Sequence, residues 1–278
     1  MAPKLQFAAK TVIDQGRVPR ETFEELKQWC LLQNLPVLSD EQLILFLLSC
    51  YNVLDATKNT IHAYFKCKHE APELFYNRNM EAEDVLKACK TCEFAVFPVK
   101  TANNEAVVML KLQESAYYKF HLEAIMKTLL MVGELTLYQD PPDGLVQVID
   151  MKGFGLLHLT RLRIGPLRKF FQYVQEGVPC RLKQIHVLNT VYFIDKIMKI
   201  VKPFMKEELY NMIKFHPAHM KMGDFFEKYL PMDCLPEDYG GSLPKLNVLS
   251  CQTYDMIRGL ERFYRDEEEQ VRSYKMKK

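Results

Sequence analysis

Short apolar segments alternate with longer amphipathic ones after about residue 95, and this alternation restricts the fold more than any other feature of the sequence. The segments 107–112, 145–150 and 184–189 are VVMLKL, LVQVID and QIHVLN, which is typical of strands buried in a mostly parallel sheet. The segment 211–216, NMIKFH, is a weaker candidate for a fourth strand. Helical patterns separate these segments, so the sequence predicts an α/β domain.

The first ninety-odd residues predict helices only. Ser39 is placed to cap a helix, and Gln42 completes a capping box with it. A second predicted helix ends at Pro72. One face of that second helix carries Ile61, Tyr64, Phe65 and Lys68. We therefore predict a small helical subdomain ahead of the α/β domain.

The predicted domain boundaries are 1–95 for the helical subdomain, 96–260 for the α/β domain and 261–278 for a charged C-terminal tail. We expect the tail to be a solvated helical end, with a partner surface as the alternative. The 278 residues carry a net charge of +2, which gives no overall bias toward nucleic acid or membranes. There is no apolar run typical of a signal peptide or of a bilayer span. We expect a cytoplasmic monomer that binds no nucleic acid.

The sequence lacks the common catalytic motifs of α/β proteins. It contains no GxGxxG after a strand, no GxxxxGK[ST], no GxSxG and no HExxH. His186 falls in the middle of a predicted strand, and we interpret it as a core histidine with satisfied hydrogen bonds. Asp150 ends a strand without an evident partner base, and we expect it to cap a loop. The sequence therefore predicts no enzymatic activity, no cofactor and no metal.

The segment 190–206, TVYFIDKIMKIVKPFMK, has the pattern of an amphipathic helix. Its apolar stripe consists of Ile194, Ile197, Met198, Val201 and Met205, and its other side carries Lys196, Lys199, Lys202 and Lys206. Such a pattern suits a helix at a membrane interface. On periodicity alone, an ordinary surface helix packed on the sheet is the favoured interpretation.

Several motifs around this segment resemble the CRAL-TRIO lipid-binding family, in particular the branch of the α-tocopherol transfer protein and the retinaldehyde-binding protein. The matching features are the basic strand ending in Asn189, the KPF at 202–204, the LPEDYGG at 235–241 and the VIDMKG at 148–153. The resemblance extends over nearly the whole chain. It implies a mostly parallel sheet that forms the floor of an apolar cavity, with a lid helix at about 190–212.

The resemblance also implies which residues contact the lipid. On the sheet these are Leu145, Gln147, Ile149, Leu182, Ile185 and Val187; on the helices behind the cavity, Met126, Leu129, Leu130, Gly133, Tyr173 and Val174; and on the lid, Phe193, Ile194, Ile197, Met198 and Val201. Strand alternation places Leu145, Gln147 and Ile149 on one face of their strand, and Ile185 and Val187 on one face of the next, with His186 and Asp150 pointing away.

Basic residues beside the lid imply contact with a membrane or with phosphoinositides. The candidates are Arg181, Lys183, Lys196, Lys199 and Lys206. Two further basic positions of the family are Glu208 and Met212 here, so recognition of phosphoinositide head groups is in question.

The function implied by the resemblance is the binding and transfer of a small hydrophobic lipid, similar to a tocopherol, retinoid or carotenoid, between membranes. The alternatives are a lipid-responsive interaction module and the transfer of a phospholipid of the phosphatidylinositol type. The expected partners are the lipid and, transiently, a membrane surface.

Overall fold

Helices form the first part of the chain and pack on one another. The computed structural model describes residues 2–275. The helices of this part are α1 (Ala9–Asp14), α2 (Arg20–Leu31), α3 (Asp40–Ser49), α4 (Leu54–Glu70), α5 (Pro72–Phe75) and α6 (Glu83–Thr91). The predicted capping box is confirmed: the Gln42 backbone N–H donates to the Ser39 hydroxyl (3.2 Å), and the Ser39 N–H donates to the Gln42 side chain (3.1 Å).

A five-stranded sheet follows, and the predicted α/β class is confirmed. Its strands are β1 (Cys92–Val96), β2 (Glu105–Leu112), β3 (Gly144–Asp150), β4 (Leu182–Thr190) and β5 (Ile213–Pro217), in that spatial order. The first pair is antiparallel, and the other pairs are parallel. The sequence patterns located β2 to β5 but not β1.

Helices connect the parallel strands and close the domain. They are α7 (Leu122–Tyr138), α8 (Ile164–Glu176), α9 (Ile194–Val201), α10 (Glu207–Asn211), α11 (Met222–Lys228), α12 (Leu246–Gly259) and α13 (Glu261–Arg272). The single helix expected through residue 206 was wrong, because α9 ends at Val201 and a 3₁₀ turn covers Lys202–Phe204. Pro203 causes this break, since a proline in a helix interior removes a backbone donor and clashes with the preceding turn. Within residues 2–275, no helix is long and apolar enough to cross a bilayer.

One face of the sheet is packed solidly by the chain from α11 to α12. Phe225, fully buried, lies against the rings of His186, His216 and Tyr229 at centroid distances of 5.1 to 5.5 Å. His186 Nδ1 lies 3.0 Å from His216 Nε2, and His186 Nε2 lies 2.8 Å from the Gln184 side-chain oxygen. The interpretation of His186 as a hydrogen-bonded core residue is confirmed. Burial and the neighbouring His216 lower the pKa of His186 to about 4.

The turn at 235–241 is hydrogen-bonded to the end of β3 on this packed face. The Tyr239 hydroxyl donates to the Asp150 carboxylate (2.6 Å), and the Asn189 side-chain amide donates to the same carboxylate (2.7 Å). Asp150 also accepts from the Lys152 backbone N–H (2.8 Å), so it caps the loop after β3 as expected. Gly240 adopts a φ of +78°, and a Cβ on Gly241 would lie 1.9 Å from the Leu235 carbonyl oxygen. The turn therefore requires both glycines.

A buried cluster of four charges joins the two parts of the chain. Lys68 Nζ contacts Glu134 (2.5 Å) and Glu267 (2.8 Å), and Arg78 contacts Glu134 (2.6 Å) and also Glu267. Burial alone would raise the pKa of Glu267, but the charges of Lys68 and Arg78 outweigh it and lower that pKa to about 2. The cluster contains two cations and two carboxylates and is therefore neutral as a unit, and each carboxylate contacts both cations.

The expectation of a solvated tail at 261–278 was wrong for the residues that the structure describes. Phe263, Tyr264, Glu267, Gln270 and Val271 of α13 are all buried. Glu267 completes the charge cluster, and this contact holds α13 on α4 and α7. Residues 276–278 of the predicted tail lie outside the described residues.

Candidate functional site

A cavity of about 360 Å³ lies between the other face of the sheet and helices α7, α8 and α9. Its wall is almost entirely apolar, and its volume is near the lower end of the range for sites that hold one small molecule, about 300–1,000 Å³. The sheet supplies the floor, α7 and α8 the back wall, and α9 one side.

The floor is a row of apolar side chains on adjacent strands. Leu110 of β2 pairs with Ile149 of β3, Ile149 with Val187 of β4, and Val187 with Phe215 of β5. All of these side chains line the cavity. Since side chains alternate between the faces of a strand, Val148, His186 and Leu188 point into the packed face instead. Asp150, at the end of β3, borders the cavity as well, which departs from the strict alternation expected for it.

The back wall has an open position on α7. Gly133 borders the cavity, and a Cβ placed on it would meet no atom within 4 Å. Met126, Leu129 and Leu130 precede it along the same side of the helix. A larger residue at position 133 would therefore reduce the cavity rather than disturb the packing of α7.

The two faces of α9 differ sharply. Ile194, Ile197 and Met198 line the cavity, whereas Lys196 and Lys199 are exposed. This division follows from the helical period of 3.6 residues, which places positions three and four apart on one face. The helix therefore covers the cavity with one face and presents cations on the other.

Most of the side chains expected to contact a lipid border this cavity, and two do not. The cavity wall contains Met126, Leu129, Leu130, Gly133, Leu145, Gln147, Ile149, Tyr173, Val174, Leu182, Ile185, Val187, Ile194, Ile197 and Met198. Phe193 is buried instead beside Phe154, at a centroid distance of 6.5 Å. Val201, the last residue of α9, is buried in the main apolar core. For these two residues, the assignment to the cavity wall was wrong.

The charged groups at the cavity wall are engaged within the protein. The Glu134 carboxylate binds Lys68 and Arg78. The Asp150 carboxylate accepts from Tyr239 and Asn189. Burial, followed by the neighbouring Asp150 carboxylate, raises the pKa of Tyr239 well above its usual value of 10, so this hydroxyl keeps its proton. These charged groups are therefore held by partners inside the protein, and the rest of the lining is mainly apolar.

Comparisons with known proteins agree with this geometry. The family model described as "CRAL/TRIO domain" matches residues 90–241, which is more than half of the chain. The chain belongs to the CRAL-TRIO family. This is a family of lipid-binding and lipid-transfer proteins. A model described as "Pinta-like, UBA domain" matches residues 18–85, within the helical part.

Individual relatives of this CRAL-TRIO chain are distant. The alpha-tocopherol transfer protein-like protein of Homo sapiens is 25% identical over 214 residues, which cover 76% of this chain and 61% of that protein. The chain thus spans less than two thirds of that relative's length. Clavesin-1 of Xenopus laevis is 28% identical over 106 residues, or 38% of this chain and 31% of clavesin-1. The crystal structure of Sfh5 matches with a TM-score of 0.52 and 16% identity, covering 76% of this chain and 74% of Sfh5, and this likeness shows the fold.

Two of the basic residues expected to meet a membrane in this CRAL-TRIO chain are engaged by Tyr51, in the loop between α3 and α4. The guanidinium carbon of Arg181 lies 3.7 Å from the centroid of the Tyr51 ring, and Lys183 Nζ lies 3.2 Å from its hydroxyl. Lys206 is paired with Glu176 (2.9 Å). In contrast, Lys196 and Lys199 form no ion pair with any of residues 2–275.

Sequence reasoning missed other parts of the wall that the pattern could have revealed. Phe170 and Phe171 of α8 and Leu110 and Leu112 of β2 all line the cavity. Helical spacing from Tyr173 and Val174 indicates the two phenylalanines, and strand alternation indicates the two leucines. The contributions of Phe120 and Phe154 carry no comparable signal, since both lie in irregular segments.

Proposed function

We propose that this chain binds one small hydrophobic lipid in the cavity and carries it between membranes as a monomer in the cytoplasm. The observation that carries the proposal is the apolar cavity covered by α9, whose outer face bears two exposed lysines that form no ion pair with the described residues. The volume of about 360 Å³ is closer to that of a single tocopherol, retinoid or carotenoid than to that of a diacyl phospholipid.

Burial in an apolar cavity supplies enough free energy for such a role. At about 0.3 kcal/mol per heavy atom, a lipid of roughly 30 heavy atoms gains about 9 kcal/mol, which corresponds to sub-micromolar affinity. The wall needs no catalytic group for this activity. It only has to exclude water and to open when the lipid enters or leaves.

The surface beside α9 is suited to the opening step at a membrane. Lys196 and Lys199 provide charge, and each lysine near an anionic surface contributes about 1 kcal/mol. Tyr192 is 90% exposed, and Leu156 and Leu157 are 43% and 56% exposed. The contact between Phe193 and Phe154 brings these two exposed segments together. This combination of aromatic, aliphatic and cationic groups is typical of proteins that dock at bilayer interfaces.

A vesicle assay tests the proposal directly. The purified protein is mixed with donor vesicles that contain a fluorescent tocopherol or retinol and with acceptor vesicles that contain none, and transfer is followed over time. We expect transfer in proportion to protein concentration, accelerated by anionic phospholipid. Binding without transfer would contradict the carrier function and favour the lipid-responsive module.

Two substitutions on α9 test its two faces separately. Ile197→Asp places a charge against the apolar cavity, and we expect it to weaken lipid affinity in solution at least tenfold. Lys199→Asp, on the outer face of the same helix, should leave that affinity nearly unchanged. Equal affinities for the two variants would rule out α9 as the cover of the cavity.

The lysines are tested by neutralisation. Lys196→Gln combined with Lys199→Gln should slow transfer from anionic vesicles several-fold while lipid affinity in solution stays the same. Lys90→Gln combined with Lys245→Gln changes the charge equally at exposed positions on α6 and before α12, and should leave transfer unaffected. If both pairs slow transfer alike, the docking surface does not lie at α9.

A further inference from the structure

One neutral polar side chain stands on the floor of the cavity. Gln147 of β3 is 92% buried, since its exposed fraction is 8%, and it lines the cavity between Leu145 and Ile149 on the same face. Burying an amide without hydrogen-bond partners costs about 1–3 kcal/mol of folding free energy. The partners of the Gln147 amide therefore show whether the protein itself satisfies this group or leaves part of it for a ligand.

The nitrogen of this amide is fully used by the sheet. It donates to the carbonyl oxygens of Val148 (2.9 Å) and Val108 (3.2 Å). An amide nitrogen carries two hydrogens, and two carbonyls accept them. The reverse orientation would place the amide oxygen against both carbonyl oxygens, so the hydrogen-bonding pattern fixes which end is which.

The oxygen of the amide has no such partner. Within residues 2–275, no donor forms a hydrogen bond with the Gln147 side-chain oxygen, although both carboxylates at the wall are fully engaged. The cavity floor therefore offers one unused acceptor and no matching donor. A molecule that satisfies it must bring a hydrogen of its own.

We propose that Gln147 selects a lipid with a hydroxyl group, an alcohol or a phenol, whose O–H donates to the amide oxygen. This inference rests on the proposed lipid-binding function and specifies its ligand class. An aldehyde, ketone or ether presents only lone pairs to this oxygen and gains nothing from it. A carboxylate would additionally bury a charge without a counter-charge.

Tyr173 provides the matched comparison. Its ring lines the cavity, and its hydroxyl is buried without a hydrogen-bond partner in the described part of the chain. The ring lies 5.4 Å from Lys68 Nζ, and burial, followed by Glu134 and Glu267, raises the pKa of this hydroxyl well above 10. The ring therefore lies beside the buried charge cluster, and the hydroxyl is buried without being exposed to the cavity.

The experiment compares three probes with the same number of heavy atoms: tridecanol, methyl dodecyl ether and methyl undecyl ketone. Their affinities are measured by displacement of diphenylhexatriene from the wild-type protein, Gln147→Met and Tyr173→Phe. We expect the wild-type protein to prefer the alcohol about three- to tenfold, as one net hydrogen bond provides. Gln147→Met should lose this preference, and Tyr173→Phe should keep it.

Three results would overturn the assignment. The first is a wild-type protein that shows no preference for the alcohol, a result that can be obtained without any variant. Gln147→Met could shift all three affinities by one factor. The preference for the alcohol could also disappear in Tyr173→Phe and survive in Gln147→Met, which would mean that Tyr173, and not Gln147, binds the hydroxyl. If the wild-type protein binds neither diphenylhexatriene nor any probe, both the lipid-binding function and the role of Gln147 are contradicted. If it binds the probes without preferring the alcohol, only the role of Gln147 is contradicted.

Discussion

The two faces of the central sheet are made from the same strands but are completed in different ways. On one face, Phe225 and Tyr229 of the segment after β5 fill the space against His186 and His216. On the other face, the helices stand back from the floor and leave a cavity of about 360 Å³. The apolar side chains on the cavity face of the sheet are as well suited to packing as those on the packed face. The cavity therefore arises from what is placed opposite the sheet, including a glycine in α7, rather than from the sheet itself.

This comparison predicts unequal costs for removing a phenylalanine from each face. Phe225→Ala should lower the free energy of unfolding by about 3–5 kcal/mol, because the side chain is fully buried and its loss creates a new void. Phe170→Ala, at the cavity wall, should cost less than half as much, because its side chain already borders open volume. Urea denaturation of both variants measures the difference. Similar losses would mean that the wall of the cavity is packed as tightly as the opposite face.

The packed face should also make stability depend on pH. The pKa of His186 is about 4 in the folded protein and about 6.5 in its ordinary state. Between these values the unfolded chain binds a proton that the folded protein does not, so the free energy of unfolding falls as the pH drops from about 6.5 to 4. The shift corresponds to about 3 kcal/mol at most.

The histidine effect is measured by denaturation across this pH range. His186→Phe retains a ring against Phe225 but has no proton to gain, so its stability should change less with pH than that of the wild-type protein. The two proteins would show parallel pH profiles if other groups were responsible.

The smallest expected effect on stability concerns Gly133, and a glycine on the packed side provides the contrast. Gly133→Ala on the cavity side should raise the free energy of unfolding by up to about 1 kcal/mol, since alanine favours a helix interior and its Cβ meets nothing within 4 Å. Gly241→Ala in the turn on the packed side should destabilise, because its Cβ would overlap the Leu235 carbonyl. Gly133→Leu should fold well yet bind less lipid. A destabilised Gly133→Ala would contradict the open position on α7.

Local periodicity predicted most of the sheet, whereas the resemblance to the CRAL-TRIO family indicated which residues form the cavity wall. The alternation in β3 and β4 placed Gln147, Ile149 and Val187 on one face, and the structure agrees. The failures occur where periodicity stops. Val201 was assigned to the apolar stripe but is the last residue of α9, and Phe193, which the resemblance placed on the lid, lies just before that helix begins.

The sequence patterns did not predict contacts between segments that are far apart in the chain. Lys68 stands on the apolar face of its predicted helix, and this misplaced charge was the available signal for a buried partner. It gave no means of choosing Glu134 and Glu267, which lie 66 and 199 residues further along the chain. β1 was missed for a different reason: it begins at Cys92, the residue after α6 ends, so no turn signal separates the strand from the helix.

The buried charge cluster has a consequence for how the chain is made. A ribosome adds about 5–20 residues per second, so the 199 residues between Lys68 and Glu267 take roughly 10–40 s to synthesise. Throughout that interval the Lys68 and Arg78 side chains lack one of the two carboxylates that neutralise them in the finished protein. The helical part cannot bury both cations at low cost before then. The nascent chain should therefore keep its N-terminal helices loosely docked until α13 emerges, and acquire its final fold late in translation.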